Sequence, residues 1–254
     1  MTVLLTGGSG RLGSELRALL PDVAAPSSQE LDLTDPDSVA AALARYRPSA
    51  VVHAAAYTDV RGAETDRARC WAVNVGGTRN LVRALGSTPL VHISTDYVFY
   101  GDRGGYGEDD PVGPVRNYYA LSKLAAEEVA RLAERHLVIR TSFRPREWPY
   151  PTAFEDVYTS QDYVDVIAPD IALAARNLHN IPFSTLHIAT ERKSVYELAK
   201  QRRPDVEPGS KAAAGVALPD DISLNVERWQ ALKSQLSAKE SARESATRPT
   251  KEPA

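Results

Sequence analysis

The chain has 254 residues, of which 43% are hydrophobic and 25% charged, a balance typical of globular proteins. The net charge of −3 argues against a nucleic-acid partner, no apolar run approaches the ~20 residues that a membrane span requires, and the single cysteine excludes an internal disulfide. We therefore expect a cytoplasmic protein with one large domain and a smaller lobe, without a metal site, a nucleic-acid partner or a membrane segment.

Apolar segments alternate along the chain with segments of helical periodicity. The predicted strands are 3–5, 23–25, 50–54, 89–93, 137–140 and 185–188. The predicted helices are 11–20, 36–46, 64–85, 118–134, 169–178 and 194–201. Strands that alternate with helices at this pitch predict an α/β fold, in which a doubly wound parallel sheet is covered by helices on both faces.

The first predicted strand runs directly into three glycines, Gly7, Gly10 and Gly13, which open the first helix. This spacing lets the backbone turn sharply and approach a pyrophosphate, while the helix N-terminus supplies free N–H groups. A glycine triplet alone is a weak signal, but this one has the strand–turn–helix context that the motif requires. Residues 1–140 are therefore predicted to form a Rossmann-type domain that binds NAD(P).

The choice between the two dinucleotides depends on charge near the adenosine ribose. NAD-binding proteins usually place an acidic residue at the end of the second strand. Here Pro26-Ser27-Ser28 follows that strand, while Arg11 lies inside the glycine turn, where it can meet a 2′-phosphate. The alternative is that Arg11 only solvates the helix face. We predict that NADP(H) is preferred over NAD(H), with Asp32 a candidate contact to the adenine.

Tyr119 and Lys123 lie four residues apart on a predicted helix, and therefore on one helical face. An ammonium near the phenol favours the ionised tyrosine and can also hold the nicotinamide ribose. The tyrosine would give its proton to a carbonyl as hydride arrives from the cofactor. The spacing is not specific, because Tyr196 and Lys200 repeat it in the C-terminal part, where we expect packing or surface positions.

Thr95 ends the fourth predicted strand, at the sheet edge where ligands of such folds bind. Its hydroxyl can donate to a substrate carbonyl oxygen and polarise it. The alternative is a threonine that only caps the next turn. Asp96 is a candidate to orient Thr95 or the substrate.

The regular alternation of predicted strands and helices ends after Arg140. We predict that residues 141–236 form a small, reduced substrate lobe with elements that return to the Rossmann sheet, and that 237–254 form a disordered tail with a frayed helical start. Arg140, Arg144 and Arg146 either bind a diphosphate or are solvated and paired at the surface.

Five motifs occur in order and at fitting intervals: Thr-Gly-Gly-Ser-Gly-Arg-Leu-Gly at 6–13, Ala-Ala-Ala-Tyr-Thr at 54–58, Val-Asn-x-x-Gly-Thr at 73–78, Ser-Thr-Asp-Tyr-Val-Phe at 94–99 and Tyr-x-x-Ser-Lys-Leu at 119–124. Together they resemble the extended short-chain dehydrogenases/reductases, specifically the dTDP-4-dehydrorhamnose reductase group. The resemblance is strong over residues 1–140 and weak beyond them.

This resemblance implies NADPH-dependent reduction of a 4-keto sugar attached to a nucleoside diphosphate. It implies catalytic roles for Thr95, Tyr119 and Lys123, with Asp96 beside them. The residues that we expect to bind the cofactor are Gly7, Gly10, Arg11, Leu12, Gly13, Ser27, Asp32, Leu33, Ala54, Ala55, Ala56, Tyr57, Asn74, Tyr119 and Lys123. The residues that we expect to bind the substrate are Thr95, Tyr97, Phe143 and Arg144. Relatives often dimerise through their long helices, so a homodimer is also predicted.

The chain departs from the family pattern on the substrate side. Arg61 and Tyr100 stand where the family commonly has aspartate, and Phe143 replaces a tryptophan. The segment from Phe143 to the helix predicted at 169 is short and lacks a helix that usually helps to enclose the nucleotide-sugar. The substrate lobe is therefore altered, and the sugar is left open.

Two alternatives to a reductase remain. A non-catalytic NADP-binding regulatory subunit would have no need of Thr95, Tyr119 and Lys123, so their presence argues against it. An epimerase or dehydratase of the same superfamily is the second alternative. A dehydratase often has Asp-Glu after the threonine, whereas Tyr97 follows Asp96 here, which favours simple reduction.

Overall fold

The computed structural model describes residues 2–215 and 218–247. The strands are β1 (Val3–Thr6), β2 (Val23–Ala24), β3 (Ala50–His53), β4 (Leu90–Thr95), β5 (His136–Thr141), β6 (Phe143–Arg144), β7 (Thr152–Phe154), β8 (Tyr158–Thr159), β9 (Asp162–Tyr163), β10 (Thr185–His187), β11 (Lys193–Ser194) and β12 (Glu207–Gly209). The α-helices are α1 (Arg11–Leu19), α2 (Pro36–Tyr46), α3 (Gly62–Thr65), α4 (Arg67–Trp71), α5 (Gly77–Ala84), α6 (Tyr118–Ala130), α7 (Val164–Arg176), α8 (Val195–Lys200) and α9 (Glu227–Thr247).

The main sheet has six parallel strands in the order β10-β5-β4-β3-β1-β2. One apolar core lies between the sheet and α1, α7 and α9, and a second lies between the sheet and α2 and α5. The prediction of a doubly wound parallel sheet is therefore confirmed. The strand order reverses between β1 and β3, and in such sheets the crevice at this reversal, beyond the carboxyl ends of the strands, is where ligands bind.

The long helix predicted over 64–85 is divided into α3, α4, a π-helical turn over Ala72–Gly76, and α5. The break before α4 has a local cause, since the Asp66 carboxylate accepts from the backbone N–H of Arg69 and caps the new helix. Single π-helical turns are rare and occur frequently at functional sites. This one carries Asn74 towards the loop that follows β3.

The helix predicted at 169–178 begins earlier, at Val164, and Pro169 lies inside it. A proline in a helix interior removes one backbone hydrogen bond, so the sequence favours a start at the proline. Burial overrides that preference, because Val164, Ile167 and Ile171 are all buried in the core shared with the sheet.

Three small strand pairs lie beyond β5: β6 with β9, β7 with β12, and β8 with β11. They enclose a separate apolar cluster around Trp148, Val157 and Val195. β10 pairs with β5 in the main sheet, and α7 packs against α1. The described part of the chain after β5 thus contains these small strand pairs and also returns β10 to the main sheet, while the predicted division into a Rossmann domain and a substrate lobe stays a prediction.

The last described helix, α9, packs on the main core through Trp229, Leu232 and Leu236. It continues to Thr247, so residues 237–247 of the expected tail are helical. Arg176 and Asn177 both donate to the Glu240 carboxylate and so tie this part of the helix to α7. Residues 248–254, where the disordered tail was also expected, lie outside the described residues. In the described part of the chain, no helix has the length and apolar character to cross a membrane.

Candidate active site

The glycine turn brings three backbone segments closer together than side chains would allow. Gly7 has a φ of +74°, and a Cβ atom built on it would lie 2.6 Å from the backbone nitrogen of Ala55. A Cβ atom on Gly13 would lie 2.0 Å from the carbonyl oxygen of Gly7. The turn leaves the N-terminus of α1 open, with Gly10 and Arg11 exposed. This cradle fits a dinucleotide pyrophosphate, which helix N-termini bind through free N–H groups.

A buried polar chain connects the glycine turn to α5. The Thr6 hydroxyl and Nδ1 of His53 are 2.7 Å apart, and Nε2 of His53 lies 3.0 Å from the Thr78 hydroxyl. The Thr78 hydroxyl donates to the carbonyl of Asn74 at 2.6 Å. Burial, and then the charge of Lys123, lower the pKa of His53 to about 3. His53 is therefore neutral and serves as a fixed connection beneath the loop 54–57.

Asn74, which we expected to contact the cofactor, uses its amide inside the chain. Its Oδ1 accepts from the backbone N–H of Tyr57 at 2.7 Å, and its Nδ2 donates to the carbonyl of Tyr57 and to the Ser122 hydroxyl. The half-buried loop that we expected to line the cofactor is thereby tied to α6. The members of this loop are Ala54, Ala55, Ala56 and Tyr57.

The residues expected near the adenosine follow β2 at the edge of the sheet. The backbone N–H and hydroxyl of Ser27 both donate to the Glu30 carboxylate, at 2.9 and 3.0 Å. Hydrogen bonds from the hydroxyl and backbone N–H of Thr34 hold the pKa of Asp32 below its usual value. Leu33 and Leu12 are buried in the flanking cores. Ser27 and Asp32 are exposed, and contacts of all four residues to the cofactor stay a prediction.

Thr95, Tyr119 and Lys123 meet at the carboxyl end of β4. Asn117 caps α6 by accepting from the backbone N–H of Ala120, which starts the helix just before Tyr119. The Lys123 ammonium is 3% exposed and donates to the carbonyl of Ile93 at 2.7 Å. Burial lowers the pKa of Lys123 to about 8, while the charge of Glu127 and, to a lesser extent, the nearby Cys70 oppose this change.

The tyrosine is held in its acid form in this structure. Burial raises the pKa of Tyr119 well above its usual value, the nearby Asp96 and Tyr97 add to this, and a hydrogen bond with Thr95 opposes it. The Lys123 ammonium, four residues further along the same helix, donates one hydrogen bond to the Ile93 carbonyl and has two further N–H donors. Its effect on the ionisation of the phenol stays a prediction. The phenol carries its proton beside the Thr95 hydroxyl.

Asp96 and Tyr97 complete the wall next to Tyr119. The Thr95 hydroxyl donates to Oδ1 of Asp96 at 3.0 Å. Burial raises the pKa of Asp96 to about 6, while hydrogen bonds from Thr95 and Ser142 oppose the increase. The Tyr97 ring stands edge-on to the Tyr119 ring, with centroids 6.3 Å apart. Asp96 thus orients the Thr95 hydroxyl by accepting its hydrogen bond.

The three arginines of the expected diphosphate group have different environments. Arg140 is buried against Glu127, and Arg146 forms a two-pronged pair with Glu15 at 2.8 and 2.7 Å. Arg144 lies over the Trp148 ring, 5.3 Å from its centroid, and has no ion-pair partner among the described side chains. The alternative of a paired surface arginine therefore describes Arg146, whereas Arg140 is paired but buried. Arg144 remains available beside Phe143 in β6.

The second Tyr-x-x-x-Lys pair has a different setting, as expected. Tyr196 packs against the lobe cluster around Trp148, and the Lys200 ammonium lies 5.5 Å from the centroid of its ring. The sequence interpretation assigned no role to Glu127 or Ser122. From α6, the Glu127 carboxylate accepts from the Ser94 hydroxyl of β4, and the Ser122 hydroxyl donates to the carbonyl of Tyr119. The sequence signals for them were the Tyr-x-x-Ser-Lys-Leu motif, which contains Ser122, and the spacing of Glu127, which follows Lys123 by one helical turn.

A Rossmann sheet, a glycine cradle at its reversal point and a Tyr-x-x-x-Lys pair beside a strand-end threonine define a protein of the short-chain dehydrogenase/reductase type. A family model described as the RmlD substrate binding domain matches residues 1–167. The chain belongs to this family, whose relatives here are dTDP-4-dehydrorhamnose reductase-like proteins.

Individual relatives agree with this assignment. The chain is 38% identical over 177 residues to a dTDP-4-dehydrorhamnose reductase of Mycobacterium tuberculosis, which covers 65% of this chain and 54% of that protein. It is 43% identical over 152 residues to a Streptomyces antibioticus protein named "Probable dTDP-4,6-dihydroxy-2-methyloxan-3-one 4-ketoreductase", covering 56% of this chain and 51% of the other. The matched region thus spans about half the length of these curated relatives.

A solved structure extends the similarity beyond the region matched in sequence. The dTDP-4-dehydrorhamnose reductase of Bacillus anthracis, in complex with NADP, superposes with a TM-score of 0.79 at 29% identity and covers 90% of each chain. The similarity in structure therefore continues into the lobe, where the sequence similarity weakens.

Proposed function

We propose that this protein reduces the 4-keto group of a nucleotide-linked sugar with NADPH. The observation that carries the proposal is the meeting of Thr95, Tyr119 and Lys123 beside the cofactor cradle, at one edge of the sheet. The names of the relatives supply the substrate class, since they are reductases of dTDP-linked keto sugars.

Each polar group has a separate role in this proposal. When bound, NADPH supplies a hydride to the carbonyl carbon. Tyr119 holds the proton that passes to the carbonyl oxygen, and the Thr95 hydroxyl turns from Asp96 to donate a hydrogen bond to that oxygen. Lys123 holds the nicotinamide ribose and balances the charge left on Tyr119. Before the substrate binds, Asp96 accepts from the Thr95 hydroxyl and holds it at the end of β4.

Substrate contacts come from the wall opposite the cofactor cradle. The Tyr97 ring stands edge-on to the Tyr119 ring. Burial and the Asp96 charge raise the pKa of Tyr97, and the opposing effect of the Arg144 charge supports a position of this arginine near the reacting groups. An arginine without a carboxylate partner is suited to an anionic group such as the diphosphate of the substrate. Phe143 supplies an apolar face next to it. A homodimer through α4 and α6 stays a prediction, supported by the exposed Trp71 and Leu121 on these helices.

The proposal is tested by NADPH oxidation, followed at the nicotinamide absorbance band, against a panel of nucleotide-activated 4-keto sugars. We expect turnover with at least one of them. We also expect NADPH to bind, which is measured in parallel by fluorescence. Binding without turnover on any sugar would favour the regulatory subunit. A converted sugar with no net NADPH consumption would favour the epimerase or dehydratase.

Arg11 is the residue that we propose to select NADPH over NADH. It is exposed at the first position of α1, next to the glycine cradle. We expect Arg11→Ala to weaken NADPH binding about tenfold, as the loss of one phosphate contact predicts, and to leave NADH binding unchanged. Fluorescence titration with both cofactors measures this.

The matched control for that substitution is Arg83→Ala, which removes an exposed arginine from the last turn of α5. It should leave binding of both cofactors as in the unmodified protein. Equal loss of NADPH and NADH affinity in Arg11→Ala would contradict the contact to the 2′-phosphate.

A further inference from the structure

Three successive turns of α6 are joined to three successive residues of β4. Tyr119 lies against Thr95, and the Lys123 ammonium donates to the carbonyl of Ile93 at 2.7 Å. One turn further, Oε1 of Glu127 accepts from the Ser94 hydroxyl at 2.5 Å. The catalytic pair is therefore the outer part of a longer buried contact, and Glu127 is its inner end.

The Glu127 carboxylate is 0% exposed and fully bonded. Nε and one terminal nitrogen of Arg140 donate to it at 3.1 and 3.0 Å, and a nitrogen of Arg131 lies 3.6 Å away. Two-pronged contacts with a guanidinium are strong when both groups are buried, because each satisfies the other. Burial of a charged pair costs free energy that burial of apolar side chains of similar volume does not. This cost indicates a role for Glu127 beyond packing.

Lys123 is buried among groups from several elements of the fold. The charged and titratable groups that face it are His53 from β3, His92 from β4, Cys70 from α4 and Glu127 from its own helix. Burial, followed by the Lys123 charge, lowers the pKa of both histidines, so they are neutral. Glu127 lies one helical turn from Lys123 on the same face of α6, and it is the carboxylate whose charge raises the pKa of Lys123.

We propose that Glu127 is a positioning residue that keeps the Lys123 ammonium charged and seated on the Ile93 carbonyl, one turn below Tyr119. Its consequence for catalysis rests on the proposed function, in which Lys123 holds the cofactor ribose and balances the charge on Tyr119. Glu127 touches neither the cofactor nor the substrate and acts through Lys123. Arg140 and Ser94 fix the carboxylate so that its charge stays in place.

The direction of the effect follows from the electrostatics of Lys123. Burial lowers its pKa to about 8, and the Glu127 charge opposes this decrease. Without that charge, the pKa falls further and the ammonium is lost at lower pH. NADPH binding and turnover, which depend on the ammonium in this proposal, should then decline from a lower pH upward.

The test compares Glu127→Gln with Glu128→Gln. Glu128 lies on the same helix with a 67% exposed side chain that contacts Arg131, so its substitution is chemically matched and remote from Lys123. NADPH affinity and turnover are measured from about pH 6 to about pH 9. We expect the alkaline decline in Glu127→Gln to move down by about one pH unit, with near-normal values at the acid end, and no displacement in Glu128→Gln. A uniform loss at every pH would show a merely structural role.

If Glu127→Gln does not fold, Glu127→Asp serves as the second variant, because it keeps the carboxylate that pairs with Arg140. Its alkaline decline should lie between those of the unmodified protein and Glu127→Gln. A uniform loss in Glu127→Asp, with the position of the decline unchanged, would overturn the proposal.

A cofactor-free measurement separates this proposal from the proposed function. The pKa of Lys123 falls from 10.5 in the unfolded chain to about 8 in the folded one. Between these values the unfolded chain holds a proton that the folded protein has lost, so this lysine makes the protein more stable as pH rises through that window. In Glu127→Gln the rise in thermal midpoint should begin at lower pH than in Glu128→Gln.

The combined outcomes are distinct. If no keto sugar is reduced but the stability rise moves in Glu127→Gln, the proposed function fails and the control of Lys123 by Glu127 stands. If turnover is found and neither the alkaline decline nor the stability rise moves, the proposal for Glu127 is wrong.

Discussion

Replacement of Tyr119 by phenylalanine should reduce turnover by about 10²–10⁴-fold while NADPH affinity stays nearly unchanged. The substitution removes one hydroxyl from a ring that lies between Thr95 and Tyr97 and leaves the ring in place. The lost group is the proton donor of the proposed reaction, whereas the cofactor is held by the glycine cradle and Lys123. Single-turnover NADPH oxidation and fluorescence titration measure the two effects separately.

The neighbouring tyrosine provides the control. Tyr118 starts the same helix, but its ring packs on Trp71, with centroids 6.3 Å apart, and under Arg67 on the outer side. Tyr118→Phe should therefore keep full turnover. Normal turnover in Tyr119→Phe would refute the assigned proton donor, and an equal loss in both variants would indicate a general disturbance of α6.

Site residues that are fixed by their place in a strand or helix were predictable from the sequence. Gly13 had to lie inside the first turn of a helix, and Thr95 had to end a buried strand. Tyr119 and Lys123 had to share a helical face. These placements depend on local periodicity and on the rule that parallel strands end at one edge. The structure brings all four to that edge.

Contacts between elements distant in the chain were not predictable in the same way. Arg140 ends the run Leu-Val-Ile-Arg, and nothing in its neighbourhood distinguishes a ligand-binding arginine from a paired one. Its partner Glu127 comes from the preceding helix, and the pairing depends on how α6 packs on β4 and β5. The amide of Asn74 is a similar case, because its partner Tyr57 is brought near by the fold.

The predicted helix boundaries were wrong where burial and the local helix propensity of the sequence disagree. Pro169 and the β-branched residues before it favour a start at 169, yet α7 begins at Val164 because its apolar side chains fill the core against the sheet. The π-helical turn over Ala72–Gly76 is another such case, since apolar periodicity over 64–85 predicts a continuous helix.

Substitution of Gly13 by alanine should reduce both stability and cofactor binding. The new Cβ would lie 2.0 Å from the carbonyl oxygen of Gly7 and 2.7 Å from the Cα of Gly8. Both contacts are with backbone, so relief requires α1 to move away from the turn. We expect a loss of about 2–3 kcal/mol in the free energy of unfolding, the upper range for an added methyl group in a packed site. Denaturant titration measures this change.

The same movement should abolish the cradle. The pyrophosphate contact requires the N-terminus of α1 to sit over the Gly7 turn, so NADPH affinity in Gly13→Ala should fall by more than about tenfold. Gly76→Ala is the matched control: Gly76 is helical, and the nearest atom to its added Cβ, the Trp71 carbonyl oxygen, lies 3.9 Å away. That variant should bind NADPH normally and be at least as stable, because alanine favours a helix. Should Gly13→Ala bind NADPH normally despite its lower stability, the close approach of α1 would serve the fold alone, and the anion site would have to lie elsewhere along the sheet edge.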